Sequence, residues 1–352
     1  MKAILRDPQL NFLVGVNLLV LLSATALSRG QFMDPYNLQS MAAQVPELAL
    51  LALGVMLSMI SGNGGIDLSG IALANLAAVA AAALFAPLVS PEDAPVLYSL
   101  GFAGTALVVG LLGGLLNGTL IAFVGLPPIL STLGTQLLFG GLSVVLSNGS
   151  SMRVPSAPPL QALGNGDLLG APVGFVILVA IALALGVLLK YSPFGVRLFL
   201  LGTNPKAARY AGLPQRRLLM GTYALCGLLA GVAAVLIASR NLSVKWDYGR
   251  SYLLIAILIA VMAGVKPDGG YGRVICLFFS ATSLQLLSSM FNFLDVSNFF
   301  RDCAWGLLLL LFLAMSGHTF KTIGIGRLKG PALRTNAPPT QNPPASSSHS
   351  RG

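Results

Sequence analysis

The sequence predicts an all-α polytopic membrane protein with about ten transmembrane helices. Of its 352 residues, 55% are hydrophobic, and the mean hydropathy is +0.81. Only 9% are charged, whereas about 25% is usual for a soluble domain. The apolar residues also fall into runs of about 20, which is the length that an α-helix needs to cross the hydrocarbon core. The bilayer is therefore the expected solvent of this chain.

Ten apolar runs define the predicted spans. They cover residues 10–27, 41–60, 66–86, 98–123, 127–147, 172–189, 218–239, 250–265, 274–292 and 303–317. The first run follows Lys2 and Arg6 and mimics a signal peptide, but we expect it to be retained as a span. The eighth run is short, so we expect it to be tilted, broken or extended towards Trp246.

The predicted domains follow from these runs. Residues 1–9 form an N-terminal segment, 10–317 the transmembrane domain and 318–352 a tail. From about residue 331 the tail is rich in Pro, Ser, Asn and Thr without hydrophobic periodicity, so we expect disorder there.

Positive charge indicates which side of the membrane each loop faces. Segment 190–217 contains six cations and no acid: Lys190, Arg197, Lys206, Arg209, Arg216 and Arg217. The positive-inside rule places this segment in the cytoplasm, and ten spans then place both termini there as well. Loop 240–250 disagrees, because it carries three cations against one acid yet falls outside. Nine or eleven spans are the alternatives. Cations that lie between apolar runs do not indicate a nucleic-acid partner.

The residue types that usually carry catalysis are sparse. Cys226, Cys276 and Cys303 lie in apolar runs without a C-x-x-C pair, so we expect small buried residues and no disulfide or metal site. Both histidines, His318 and His349, lie at or beyond the last run, and no P-loop motif is present. We therefore expect no catalytic residue, no metal and no bound cofactor in this chain.

Two glycine-rich stretches interrupt the apolar pattern. "SGNGGIDLSG" contains Gly64 and Gly65 ahead of Asp67, and "AGVKPDGGYGRV" contains Gly269 and Gly270. Irregular backbone at membrane depth survives only when it is buried in protein or lines water. Asp67 has two interpretations: its carboxylate caps the third helix, or it contributes to a solute path.

Uncharged polar residues supply the candidates for a translocation path. With Asp67, they are Asn63, Asn75, Asn117, Thr132, Gln136 and Asn292. Singly, each is expected to form an interhelix hydrogen bond; as a set, they could line a path for a neutral hydroxylated solute. Glycines in the fourth span (Gly110, Gly113, Gly114, Gly118) and fifth span (Gly134, Gly140, Gly141) predict close helix packing. Acids are scarce in the spans, which argues against ion coupling.

A short helix is predicted within the basic segment, in "GTNPKAARYAGL". Thr203 or Asn204 suits the N-cap, Pro205 the first helical position, and Gly212 the end. Adjacent small residues, Ala207 and Ala208, suggest a docking element around which another protein's groove can close. The residues assigned to this element are Gly202, Asn204, Pro205, Lys206, Ala207, Ala208, Arg209 and Gly212.

Four stretches give the chain a family resemblance over residues 40–316. They are "GGIDLS", "GLPPILSTLGTQLLFGGLSVVLS", "FGVRLFLLGTNPKAARYAGLP" and "GGYGRV". In this order they resemble the permease subunits of bacterial ATP-binding-cassette (ABC) importers for ribose and related sugars, including the autoinducer-2 importers. Branched-chain amino acid permeases are more distant relatives. The chain departs from the family at Gly70, where Val-Gly often follows the first motif, and at "KPDGGYG".

The resemblance implies a type II-like permease bundle in the bacterial inner membrane. It implies a dimer with a second copy or paralogue, a periplasmic solute-binding protein, and an ATPase subunit that binds ATP and Mg. Residues 194–214 would correspond to the family's coupling segment. The chain would be a transport subunit and not an enzyme, and its solute a monosaccharide or polyol. The alternatives are branched-chain amino acids or nucleosides as solutes, an ion-coupled secondary carrier, or an integral-membrane enzyme.

Overall fold

The computed structural model describes residues 7–316 and consists almost entirely of helices. The α-helices are α1 (Pro8–Leu27), α2 (Pro35–Ile60), α3 (Gly70–Ala80), α4 (Pro95–Thr119), α5 (Pro128–Ser147), α6 (Pro158–Asn165), α7 (Val173–Tyr191), α8 (Pro193–Thr203), α9 (Pro205–Tyr210), α10 (Gln215–Asn241), α11 (Tyr252–Met262), α12 (Val274–Phe293) and α13 (Asn298–Ser316). A 3-10 turn spans Gln31–Met33, and π turns extend α3 over Ala81–Phe85 and α4 over Leu120–Val124.

Four two-residue strands complete the described fold. They are β1 (Met152–Arg153), β2 (Asp167–Leu168), β3 (Ala171–Pro172) and β4 (Ser243–Val244). β1 pairs antiparallel with β4, and β2 pairs antiparallel with β3. The predicted loop 148–171 therefore contains a short helix and three strands, which are too short to produce a periodic apolar pattern.

Helices occupy all ten predicted spans, so the all-α polytopic fold class is confirmed. Within residues 7–316, seven helices are long and apolar enough by themselves to cross a membrane. The eighth span is the shortest: α11 has 11 residues, about 16 Å, or roughly half the hydrocarbon thickness. The predictions for residues 1–6 and for the tail after residue 316 lie outside the described residues.

The interior is organised around α10, which packs against α4, α2 and α3. Glycines allow the closest of these approaches. A Cβ added to Gly114 would lie 2.9 Å from the Cα of Gly227, and one added to Gly110 would lie 3.0 Å from the Cα of Gly231. Both helices thus present glycines four residues apart, as close packing in membranes requires. The expectation of close packing is confirmed for α4.

The same expectation is wrong for α5 within the described chain. An added Cβ at Gly134, Gly140 or Gly141 would meet no atom within 4 Å among residues 7–316. The buried face of α5 instead carries Ser131, Thr135, Phe139, Ser143 and Ser147, at four-residue intervals. The Ser143 hydroxyl on this face donates to the Phe139 carbonyl of its own helix, and α5 packs against α3.

Candidate coupling surface and buried polar contacts

The basic segment folds into two short helices, each with a polar cap. Ser192 precedes α8, and its Oγ accepts a 3.2 Å hydrogen bond from the Gly195 amide. Asn204 separates α8 from α9, and its Oδ1 accepts a 3.0 Å bond from the Ala207 amide. Pro205 takes the first helical position, and Gly212 follows α9 with φ +72°. The predicted short helix is confirmed, with Asn204 as its N-cap; α8 was not predicted.

Only one of the two adjacent alanines is available to a partner. Ala207 is exposed, whereas Ala208 is buried in a small cluster with Leu201 and Leu218. The expectation that both alanines form a docking face is therefore wrong for Ala208, which holds α9 against α8 and the start of α10. Gln215 adds a further link, because its Nε2 donates a 2.6 Å bond to the Pro205 carbonyl.

The six cations of segment 190–217 are all exposed. We call them the basic surface: Lys190, Arg197, Lys206, Arg209, Arg216 and Arg217. Since the segment contains no acid, the surface carries unbalanced positive charge that suits an acidic partner or anionic headgroups.

Four glycines from three distant parts of the chain meet beneath this surface. We call Gly62, Gly202, Gly269 and Gly270 the glycine junction. A Cβ added to Gly62 would lie 2.8 Å from the Cα of Gly202, and one added to Gly269 would lie 2.7 Å from the nitrogen of Gly62. Added side-chain atoms at these distances would overlap backbone, so each position requires glycine.

The junction connects the α8–α9 segment to two helix breaks. Gly62 follows α2, Gly202 belongs to α8, and Gly269 and Gly270 lie between α11 and α12. A Cβ added to Gly202 would lie 2.5 Å from the Gly270 nitrogen, and that nitrogen donates a 3.0 Å bond to the Ile60 carbonyl. The predicted helix-break glycines Gly269 and Gly270 thus contact Gly202, one of the predicted coupling residues. Gly64 and Gly65 lie in the neighbouring turn, and Gly65 is buried against Ser58.

Asp67 is the first member of a buried hydrogen-bonded chain. Its Oδ1 accepts bonds from the Ser69 amide (2.9 Å) and hydroxyl (2.7 Å). The Asn117 amide nitrogen donates to Ser69 Oγ at 2.8 Å, and Thr135 Oγ1 donates to Asn117 Oδ1 at 2.6 Å. We call these four residues the polar chain. The N-cap of α3 is Ser69, and no side chain forms a cap hydrogen bond there, so the interpretation of Asp67 as the cap is wrong. Its carboxylate instead orders the turn before α3 and, through the polar chain, links α3, α4 and α5.

The other path candidates are distributed over the molecule. Thr132 is buried, and its hydroxyl donates to the Ile66 carbonyl at 3.0 Å. Asn75 donates to the carbonyls of Trp246 (3.2 Å) and Tyr248 (2.9 Å) and so supports the loop before the short α11. The remaining three are Asn63, exposed with φ +56°, Gln136, half-buried on α5, and Asn292, which accepts a bond from Arg301. The structure brings Asp67, Asn117 and Thr132 to one region, but not the others.

A charged contact that the sequence did not reveal lies at the other end of α10. Arg240 Nη1 contacts Glu47 Oε1 at 2.8 Å, and Tyr248 Oη donates to Glu47 Oε2 at 2.9 Å. Burial, and then the Glu47 charge, raise the pKa of the Tyr248 phenol, so it stays a hydrogen-bond donor. The sequence signal that could have indicated this contact is Glu47 itself, an acid inside an apolar run. The pair offsets one cation of loop 240–250, and Arg250 stacks over Trp246 at 4.9 Å.

The cysteines and acids form no metal site among residues 7–316. Cys226 and Cys276 are buried as expected, and the Cys226 thiol donates to the Gly54 carbonyl at 3.2 Å. Cys303 is exposed, so the expectation of burial is wrong there.

Comparison with known proteins identifies relatives over most of the chain. The family described as "Branched-chain amino acid transport system / permease component" matches residues 37–315. The chain is 30% identical over 297 residues to the ribose import permease protein RbsC of Bacillus subtilis (strain 168), covering 84% of this chain and 89% of that protein.

Autoinducer 2 import system permease proteins LsrD are also similar. The protein of Yersinia enterocolitica is 33% identical over 262 residues, covering 72% of this chain and 76% of its own length. The protein of Escherichia coli (strain K12) is 34% identical over 229 residues, covering 62% of this chain and 66% of its own length. No solved structure shows significant similarity.

Proposed function

Because the chain belongs to the permease family of ABC importers, we propose that it forms the translocation path for a monosaccharide or polyol. The first support is the similarity to a ribose import permease over most of both chains. The second is the chemistry of the spans, whose polar side chains are mainly neutral amides and hydroxyls. Such groups hydrogen-bond to the hydroxyls of a sugar without requiring a countercharge.

A branched-chain amino acid is the second candidate solute, because the family description names that transport system. Competition separates the two solutes. Uptake of labelled ribose by the assembled transporter should fall when unlabelled sugars are added and should not change with leucine. Absence of ribose uptake, together with uptake of labelled leucine that unlabelled leucine competes away, would assign the chain to amino acid transport.

We further propose that the α8–α9 segment docks on a separate ATPase subunit that binds ATP and Mg. The single observation that carries this proposal is the glycine junction. Any push on α9 reaches Gly202 in α8, and Gly202 is in backbone contact with Ile60 and Gly270. The segment therefore acts on the ends of α2 and the α11–α12 loop without a flexible side chain between them, which suits the rigid-body motions of alternating access.

The remaining parts of the proposal complete an importer. A second permease copy or paralogue pairs with this chain, and a periplasmic binding protein delivers the solute on the side of Glu47 and Tyr248. The chain resides in the bacterial inner membrane, with its termini and the basic surface in the cytoplasm. The pairing of Arg240 with Glu47 supports this orientation. It neutralises one of the three cations of loop 240–250, whose positive charge argued against placing that loop outside.

Co-purification tests the docking proposal. Ala207→Arg places a large cation on the exposed face of α9 and leaves the buried cluster intact. Ala162→Arg is the matched control, because Ala162 is an exposed alanine of another short helix, α6. We expect the Ala207 variant to lose its ATPase subunit and the control to retain it. Retention of both the ATPase and transport by the Ala207 variant would contradict the docking proposal.

A further inference from the structure

A groove of about 800 Å³ runs along the side of the molecule between α7 and α12. Its walls are mostly apolar and include Leu183, Val187 and Phe278. Leu183 and Val187 are 66% and 58% exposed. In a protein that spans a membrane, such an open apolar groove faces lipid or another membrane chain, and not water.

One end of the groove is charged. Lys190 and Arg273 both line it there, and the first turn of α12 begins beside them at Val274. Asp7 lies at the same end and pairs with Arg273. Two cations against one acid leave positive charge, and within residues 7–316 Lys190 contacts no acid. Its ammonium lies 5.1 Å from the centre of the Tyr191 ring.

The length of the groove matches one leaflet of a bilayer. Its lining on α7 extends from Val179 to Lys190, roughly 16 Å of helix at about 1.5 Å per residue. Half of the hydrocarbon core measures about 15 Å. An acyl chain fits along Val179 and Leu183 while its headgroup remains beside Lys190, at the level where a long basic side chain meets the interface.

We propose that this groove binds an anionic phospholipid, with its phosphate at Lys190 and Arg273 and an acyl chain against α7 and α12. The charge complementarity selects an anionic over a neutral headgroup, since basic pockets between membrane helices bind such headgroups. The site is separate from the proposed ATPase contact on α9, although Phe199 of α8 also lines the groove. A bound lipid would therefore contact the α8–α9 segment from the membrane side.

Three variants test the two ends of the site. Lys190→Gln removes the positive charge that would face the lipid headgroup, and Lys190→Arg keeps it. Gly186→Phe fills the apolar part; a Cβ at Gly186 meets nothing within 4 Å, so the ring enters open space. The controls are Lys245→Gln, an exposed lysine in another loop, and Gly15→Phe, an equally open glycine on α1.

The measurement is lipid retention by native mass spectrometry after transfer from nanodiscs of phosphatidylcholine mixed with phosphatidylglycerol. We expect the wild type to retain phosphatidylglycerol preferentially, and Lys190→Gln to retain it about fivefold less. Gly186→Phe should lose it, while Lys190→Arg and both controls should behave as the wild type. Circular dichroism and elution volume verify that each variant is folded.

Three results would overturn the proposal. Equal retention of phosphatidylcholine would show that the groove accepts any lipid. Unchanged retention in both Lys190→Gln and Gly186→Phe would place the lipid elsewhere. An equal loss in Lys245→Gln would indicate a general charge effect and no defined site.

Discussion

The Gly270 amide donates a 3.0 Å hydrogen bond to the carbonyl oxygen of Ile60. This bond ties the loop before α12 to the last residue of α2. It can form only because Gly202 of α8 lies beside it without a side chain. The helix ends proposed to move during transport are thus joined through backbone contacts at one point.

The glycine junction should tolerate no methyl group at its centre. In Gly202→Ala, the added carbon would meet backbone atoms of both Ile60 and Gly270, which cannot move aside as a side chain does. We expect a loss of about 1–3 kcal/mol in the free energy of unfolding, measured by thermal unfolding in detergent. Gly104→Ala is the control, since nothing lies within 4 Å of a Cβ there. Equal stability of the two variants would refute the close contact.

The cap of α9 should control the local stability of that helix. Asn204→Ala removes the acceptor for the Ala207 amide, and we expect a loss of about 1 kcal/mol. Hydrogen exchange of the α9 amides should then accelerate by about fivefold. Thr203→Ala is the control, because the Thr203 hydroxyl donates within α8, to the Phe199 carbonyl. A larger effect of Thr203→Ala than of Asn204→Ala would show that Asn204 is not the residue that caps α9.

The polar chain should stabilise the contact between α4 and α5. Asn117→Ala leaves the Ser69 and Thr135 hydroxyls without their buried partner. We expect a cost of about 1–2 kcal/mol, near the upper end for hydrogen bonds between membrane helices. A double-mutant cycle with Thr135→Val should give a positive coupling energy, because the two residues are in direct contact. Additive effects would show that the bond contributes nothing.

Removal of one partner of the Arg240–Glu47 pair should destabilise the protein more than removal of both charges. Arg240→Met leaves the nearly buried Glu47 carboxylate without its cation, beside the phenols of Tyr248 and Tyr252. We expect about 1–3 kcal/mol of destabilisation, below the value for a fully buried pair because Arg240 is 28% exposed on its side chain. Adding Glu47→Gln should recover part of the loss, since it removes the unpaired charge. No recovery in the double variant would exclude that explanation.

Local sequence signals predicted the fold better than the site. Long apolar runs gave the ten helices, because burial in lipid requires uninterrupted hydrophobicity. Asn204, Pro205 and Gly212 gave α9, because caps act within a few residues of the chain. The contact of Gly62 with Gly202 and Gly269 joins segments far apart in sequence, and no local pattern specifies which glycines will meet.

The path candidates show the same limit. Asn117 and Asn75 are both asparagines inside apolar runs, yet one joins the polar chain and the other supports the loop before α11. Their partners are two hydroxyls for Asn117 and two backbone carbonyls for Asn75, all contributed by other elements. Residue type established that each needs a partner; only the tertiary arrangement identifies which partner it has.

Uptake of labelled sugar into proteoliposomes tests most directly whether a separate ATPase drives this chain through α9. The vesicles contain this chain alone, or this chain with its ATPase and binding protein, and are loaded with or without ATP. We expect uptake only with all components and ATP, and its loss in Ala207→Arg. Uptake by the chain alone along an ion gradient, without ATP, would contradict this account.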